Sequence, residues 1–237
     1  MDAVQGLSVD PIERSVSLAE IAVSRLRQAI VNGDLPLGAP ISERALAERL
    51  AISKTPVREA LAQLRREGLI RIVPQRGAIV FTLSAREVVE ICEVRQSLEA
   101  SAMRYALERH ADGLIGDLDA VVRDMESARA AGDVKAYLAA DTEYHQCFFR
   151  HCGNGYMADA YGLFVGKIAA LRTHLAGKPK HTEKSFAEHK RMLDLLRGGR
   201  LADALAVLDT HIGRTKTTYA AEIEDIAAAD RKAGTAP

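Results

Sequence analysis

The stretch from Ser42 to Val80 constrains the fold most, because caps, breakers and two different hydrophobic periods follow one another closely within it. Ser42 precedes Glu43–Leu50, a short helical segment whose apolar positions are Leu46 and Leu50. Ala51-Ile52-Ser53 interrupts the pattern, and Ser53 or Thr55 caps a second segment with Val57, Leu61 and Leu64 as its stripe. Pro56 falls in the first turn of that segment, where its missing N–H costs little, and Gly68 ends it. Leu69–Val73 and Ala78–Phe81 then read as strands around the turn Pro74-Gln75-Arg76-Gly77. Upstream, Val23, Leu26 and Ile30 recur at helical spacing and Gly33 closes that helix. Helices followed by a hairpin in this order predict a winged helix-turn-helix over residues 18–82, with residues 1–17 a loose N-terminus.

Charge decides what such a module touches. The 237-residue chain has no net charge, yet Pro40–Val80 holds eight Lys/Arg against four acids, +4 locally. A small basic patch on an otherwise acidic chain suits contact with phosphates in one place, which points to double-stranded DNA. Lys54, Thr55, Arg58 and Arg65 point away from the apolar stripe of the second helix, and residues near the start of that helix would reach base edges. The turn with Arg76 presents a basic tip, a wing.

These residues resemble the GntR family of bacterial regulators. The run Ser53-Lys54-Thr55-Pro56-Val57-Arg58-Glu59-Ala60-Leu61 carries the likeness, with Leu64, Glu67-Gly68-Leu69 and Arg76-Gly77. Upstream, Ile30, Gly33, Leu35, Gly38 and Leu46–Leu50 match as well. The resemblance implies phosphate and base contacts from Arg44, Lys54, Thr55 and Arg58, beside Ser53, with Arg76 and Gly77 of the wing at the minor groove. Lys54 stands where many members have Arg, which removes a bidentate guanine reader at that position.

Beyond Thr82-Leu83, Ser84-Ala85-Arg86-Glu87 is a capping box that opens a long helix to about His110. From there to Ile226 the patterning is helical throughout, so the chain as a whole is expected to be mostly α. Breaks at Ala111-Asp112-Gly113, Ala131-Gly132-Asp133, Cys152-Gly153-Asn154, Gly177–His181 and Gly198-Gly199 divide residues 84–226 into six helices of an antiparallel bundle. Residues 227–237 are expected to form a flexible tail. Asp141 and His145 share one helical face, and His189 and His211 fall in two helices joined by the Gly198-Gly199 turn. One Asp and three His form a ligand set for a divalent metal: Zn first, with Ni, Mn or Fe as alternatives. By spacing alone, Asp141 and His145 are equally an ordinary helical pair, and a lone His is more often a surface or core residue than a ligand.

The same region resembles the FCD domain of the FadR subfamily, in its metal-binding, VanR-like branch. Glu93-Val94-Arg95, Leu98-Glu99, Asp141-x-x-Tyr144-His145, Gly153-Asn154, His189 and His211 carry it. Tyr144 replaces the usual Phe. The resemblance implies a metal on Asp141, His145, His189 and His211, and a small organic acid as effector, with Arg95 and Arg172 as its clamps. Helix capping is the simpler role for Asn154, and His151 and His174 read as surface residues.

A ligand-responsive repressor follows from the two modules. It is expected to be a homodimer on an inverted-repeat operator, its two-fold symmetry matching the DNA. Three cysteines without a CxxC pair and apolar runs broken by charge predict reduced thiols, no membrane span and a cytoplasmic location. Two rivals remain at this level: a metal-dependent hydrolase or lyase built on the same four residues, and a regulator sensing the metal itself. The first lacks a general base at a telling spacing and leaves the winged module without a role, so no enzyme activity is expected.

Overall fold

Local capping sets where the first helices begin. In this computed structural model, which describes residues 16–175 and 179–233, Ser17 and Glu20 form a reciprocal capping box that opens α1 (Leu18–Val31). Ser42 accepts from the Ala45 amide at the head of α2 (Glu43–Leu50). Ala51, at φ 55°, turns the chain sharply into α3 (Lys54–Arg66). Ser53 is the N-cap residue of α3 by backbone geometry, but its side chain makes no capping hydrogen bond.

The wing is a two-stranded antiparallel sheet, β1 (Ile70–Val73) and β2 (Gly77–Val80), in the register Ile70↔Val80 and Val73↔Gly77. Gly77 sits at φ 76°, a left-handed conformation that a side chain would strain. Backbone bonds from Ile41 to Ala78 and from Val80 to Ala39 lay the α1–α2 connection along β2. Leu26, Ile30, Val57, Leu64, Val80 and Phe81 close the N-terminal core. Val57 and Leu64 are fully buried, each contributing roughly 1.5–3 kcal/mol by removal from water.

Ser84 and Glu87 form the expected capping box at the start of α4 (Ala85–Ala130). The break expected at Ala111-Asp112-Gly113 is a kink instead. His110 leaves helical geometry (φ −144°, ψ 49°) and the helix resumes at once. Then come α5 (Val134–His151), α6 (Gly155–Leu175), α7 (Pro179–Arg197) and α8 (Leu201–Ala233). Counted on both sides of the kink, these are the six expected helical segments. Residues 1–15, 176–178 and 234–237 lie outside the described residues, so most of the expected loose N-terminus and the first two residues of the Gly177–His181 break do too, while the rest of that break belongs to α7. α8 runs to Ala233, past the residue 226 at which the bundle was expected to end.

α4 packs along α5, α7 and α8, and α7 along α8, around Met103, Leu118, Phe148, Met192 and Ile212. α6 belongs to both modules. It packs on α5 and on α1, and its Ala170 is buried in the N-terminal core. A Cβ added at Gly166 would meet Leu69 at 3.4 Å, one added at Gly33 would meet Thr173 at 3.5 Å, and Lys167 lies over Gly68. Cys92, Cys147 and Cys152 are buried and unpaired, and no described helix is long and apolar enough to cross a membrane.

Candidate DNA interface and buried polar centre

The expected DNA contacts lie on the surface of the winged module. Arg44, Ser53, Lys54, Thr55 and Arg58 are exposed, as are Arg76 and Gly77 at the wing tip. A shallow surface depression brings Arg44 of α2 beside Ser53 and Lys54 of α3. With no cap bond on the Ser53 side chain, its hydroxyl is available to a phosphate at the start of α3, where the helix dipole favours an anion. Arg58 donates through Nε to Glu43 at 2.6 Å, and Arg44 pairs with Glu48 at 3.3 Å. These are exposed pairs of small net worth, so both guanidiniums can exchange a carboxylate for DNA.

The bundle keeps its charges inside. Asp141 and His145 sit one turn apart on α5, His189 is on α7 and His211 on α8, and all four are buried. One ring nitrogen from each histidine lies within 4.8 Å of the others, and the Nε2 atoms of His145 and His189 are 3.2 Å apart. Two nitrogens on one tetrahedral ion at about 2.0–2.1 Å stand roughly 3.3 Å apart, so this spacing fits a shared metal. Asp141 lies beside the trio. Its Oδ1 is 3.7 Å from His189 Nδ1, and its Oδ2 forms an ion pair with Arg172 Nη1 at 2.7 Å.

The ring protons can be assigned from the partners. Arg95 Nη2 lies 2.8 Å from His145 Nε2, and a guanidinium only donates, so Nε2 carries the lone pair and Nδ1 the proton. That Nδ1 lies 2.8 Å from Glu99 Oε2, although the pair is not aligned as a hydrogen bond. His211 Nδ1 lies 2.8 Å from Glu188 Oε2, which leaves its Nε2 free to face inward. A carboxylate behind a ligating imidazole is the usual way a protein fixes the tautomer a metal needs. Burial, the largest influence, holds all three histidines below the ordinary imidazole range, His189 at about 3. Neutral rings are the form that binds metal. Burial pushes the Asp141 carboxyl up, but the Arg172 guanidinium beside it outweighs burial and keeps it ionised.

Arg95 and Arg172 also line this centre. Arg95 is wholly buried, with Nε on Glu99 at 2.5 Å and Nη1 without a partner. Arg172 Nη1 donates to Thr142 at 2.8 Å while pairing with Asp141. Asn154 caps α6 through the Met157 amide, His151 pairs with Asp117, and His174 is exposed. Sequence reasoning did not single out Glu188, Tyr137, Ser185, Thr215 and Tyr219, and it noted Glu99 only as part of a motif. A usable signal was present in the spacing. Tyr137-Asp141-His145, His211-Thr215-Tyr219, Ser185-His189 and Arg95-Glu99 each continue a polar stripe at every fourth residue of a helix.

The match to known proteins follows the same division. Residues 18–80 match the bacterial regulatory proteins of the gntR family, and residues 90–214, over half of the chain, match the FCD domain. The chain belongs to the GntR family. As a GntR protein with an FCD domain it is a DNA-binding transcription regulator, and the family is one of regulators rather than hydrolases or lyases.

Among its GntR relatives, the "Probable D-xylose utilization operon transcriptional repressor" of Paenarthrobacter nicotinovorans is 31% identical over 189 residues, 77% of this chain and 80% of that one. The gluconate operon transcriptional repressor of Bacillus subtilis (strain 168) is 30% identical over 132 residues, 56% of this chain and 54% of the relative. A GntR transcriptional regulator from Rhodococcus sp. RHA1 superimposes with a TM-score of 0.77 at 18% identity, over 85% of this chain and 96% of that one. Escherichia coli McbR/YncC gives 0.75 at 20% identity, over 88% and 99%. At these identities the structural likeness shows the shared fold.

Proposed function

We propose that this GntR regulator is a repressor switched by a small organic acid bound beside a metal in its FCD bundle. The observation that carries the reading is the trio of buried, neutral imidazoles backed by Glu99 and Glu188. His145, His189 and His211 would hold a divalent metal, with Asp141 as the fourth ligand and Zn first among the candidates. When bound, the ion supplies a Lewis-acid position for a carboxylate or hydroxyl. Arg95 and Arg172 hold the effector's anionic end, and their burial strengthens that grip because no water competes.

Coupling to DNA runs through α6. Arg172 on this helix holds Asp141, while Gly166, Lys167, Ala170 and Thr173 meet Leu69, Gly68, the N-terminal core and Gly33. An acid that draws Arg172 off Asp141 changes the seat of the winged module. Operator affinity changes only by the acid's differential affinity for the two arrangements. Two copies of the chain in the cytoplasm, related by a two-fold axis, would set their α3 helices on the half-sites of an inverted repeat.

The metal half of this reading is tested by loading the purified protein with Zn2+, dialysing it and measuring bound metal by elemental analysis. Wild type should retain about one ion per chain, as one four-ligand structural or effector site demands. His189→Ala should retain far less. Equal content in the two proteins sinks the site.

A further inference from the structure

A second group of cations lies apart from both surfaces discussed so far. Arg65 stands in the last turn of α3, eleven residues and roughly 16 Å of helix from Lys54 at the end assigned to DNA. Arg71 is on β1, and Lys167 reaches across from α6. All three line one open cleft of about 420 Å3 between the winged module and the bundle. The cleft shares no lining residue with the small cavity beside the buried histidines.

The charges in this cleft do not balance. Glu87 is the one acid on its walls, and its Oε2 already accepts from the Ser84 amide and hydroxyl, each at 2.8 Å. Arg71 Nη1 donates to the Thr82 carbonyl at 3.0 Å, a bond that leaves its charge uncompensated. The side chains of Arg65 and Lys167 make no hydrogen bond or ion pair among the described residues. Three cations facing one carboxylate leave a local charge of +2, on a chain whose net charge is zero.

Solubility is the simplest use of an exposed arginine, and it accounts for Arg65 and Arg71 taken singly. It does not account for Lys167. That side chain is half-buried, and its ammonium presses on Gly68, where an added Cβ would lie 2.5 Å from Nζ. The negative end of the α3 dipole favours a cation there, but Arg65 and Arg66 already supply that charge in the last turn. Another unpaired ammonium beside them adds repulsion unless an anion shares the space.

The remaining wall is apolar. Ile72 is 58% exposed there, and Leu83 is half-buried. An organic group seated on these two would take that surface out of water.

We propose that this cleft binds a small phosphate monoester, its dianion shared by Arg65, Arg71 and Lys167 and its apolar part on Ile72 and Leu83. A phosphate monoester carries about −1.5 to −2 near pH 7, which matches the excess charge of the cleft. The ligand ties the end of α3 and the wing to α6, the helix that also holds Arg172 on Asp141. It is a second input to the same joint, independent of what the bundle binds.

Phosphorus-31 NMR titration of the full-length protein with phenyl phosphate, inorganic phosphate and dimethyl phosphate tests this, at about 0.15 M salt to screen loose surface association. Phenyl phosphate should saturate one site per chain and bind about threefold or more tightly than inorganic phosphate, which lacks the apolar part. Dimethyl phosphate, a monoanionic diester like the DNA backbone, should bind about tenfold more weakly than phenyl phosphate. Arg65→Gln and Lys167→Met should each weaken phenyl phosphate about fivefold. Glu87→Gln keeps an acceptor oxygen for the cap and should strengthen it. Opposite signs within one cleft are not what a folding defect produces. Equal binding of phenyl and inorganic phosphate overturns the ester assignment. Three silent variants, or no saturation by roughly 10 mM, overturns the site, since three charge-assisted contacts bind more tightly than that. Dimethyl phosphate binding as well as phenyl phosphate overturns it too, and makes the cleft part of the DNA interface.

Discussion

The winged module and the bundle carry similar numbers of functional charges and treat them in opposite ways. Arg44, Lys54, Arg58 and Arg76 stand in solvent, held by nothing stronger than a surface pair such as Arg58–Glu43. Arg95, Glu99, Asp141 and the three histidines are buried and depend on one another. The difference follows from the partner. DNA brings its own dense charge and releases counterions on binding, so its readers can wait in water. A small ligand brings one charge, so the protein must prepare a desolvated site, and must satisfy that site while the ligand is away.

The comparison can be broken by single substitutions, and the largest effect should come from the buried side. Arg95→Ala takes the guanidinium from buried Glu99, leaving it the Tyr161 hydroxyl at 3.3 Å, and should destabilise the bundle by about 3–5 kcal/mol in a denaturant melt. A change below about 1 kcal/mol, the range of a surface pair, would erase the distinction drawn between the modules.

Acid should come next. His189 titrates at about 3 in the folded chain because burial opposes its charge, whereas in the unfolded chain it titrates near the ordinary value of 6.5. The unfolded state therefore binds the proton first as pH falls. Stability from this group is complete above about pH 6.5 and is lost progressively down to about pH 3. At pH 5 the loss should be about 2 kcal/mol for this imidazole. Chelated protein followed by thermal melts between pH 7.5 and 5 should show it, and His189→Gln should flatten the slope. A pH-independent wild type would contradict the neutral trio.

The exposed side should answer differently. Arg58→Ala should weaken operator binding by about 1–3 kcal/mol in a gel-shift or anisotropy titration. The melting temperature should hardly move, because the Arg58–Glu43 pair is worth little. A melt that shifts as far as the affinity would mean that Arg58 is structural.

How much of this was legible in advance depended on whether the information was local. Ser42, Ser84 and Gly77 announce their caps and turn because a helix end or a left-handed residue is settled by a few neighbours. Ala111-Asp112-Gly113 carries the marks of a loop, yet the chain only kinks at His110, where α4 packs along α5 and the helix continues. The three histidines match a family pattern, but Glu188 and the stripes that hold Tyr219 and Ser185 carry no such mark. A polar residue at every fourth position looks like a solvated face until a neighbouring helix covers it.

The sequence alone determined the modular order, the short capped helices and the basic wing, because each rests on spacing along one segment, whereas the four proposed ligands were named by the family resemblance. Tertiary structure decided that the three imidazoles share one centre, that Arg95 engages His145 across the bundle, and that α6 joins that centre to the winged module. Those facts depend on how helices distant in the chain are set side by side. Burial then turns proximity into chemistry, keeping the histidines neutral and the arginines committed to the few partners they can reach.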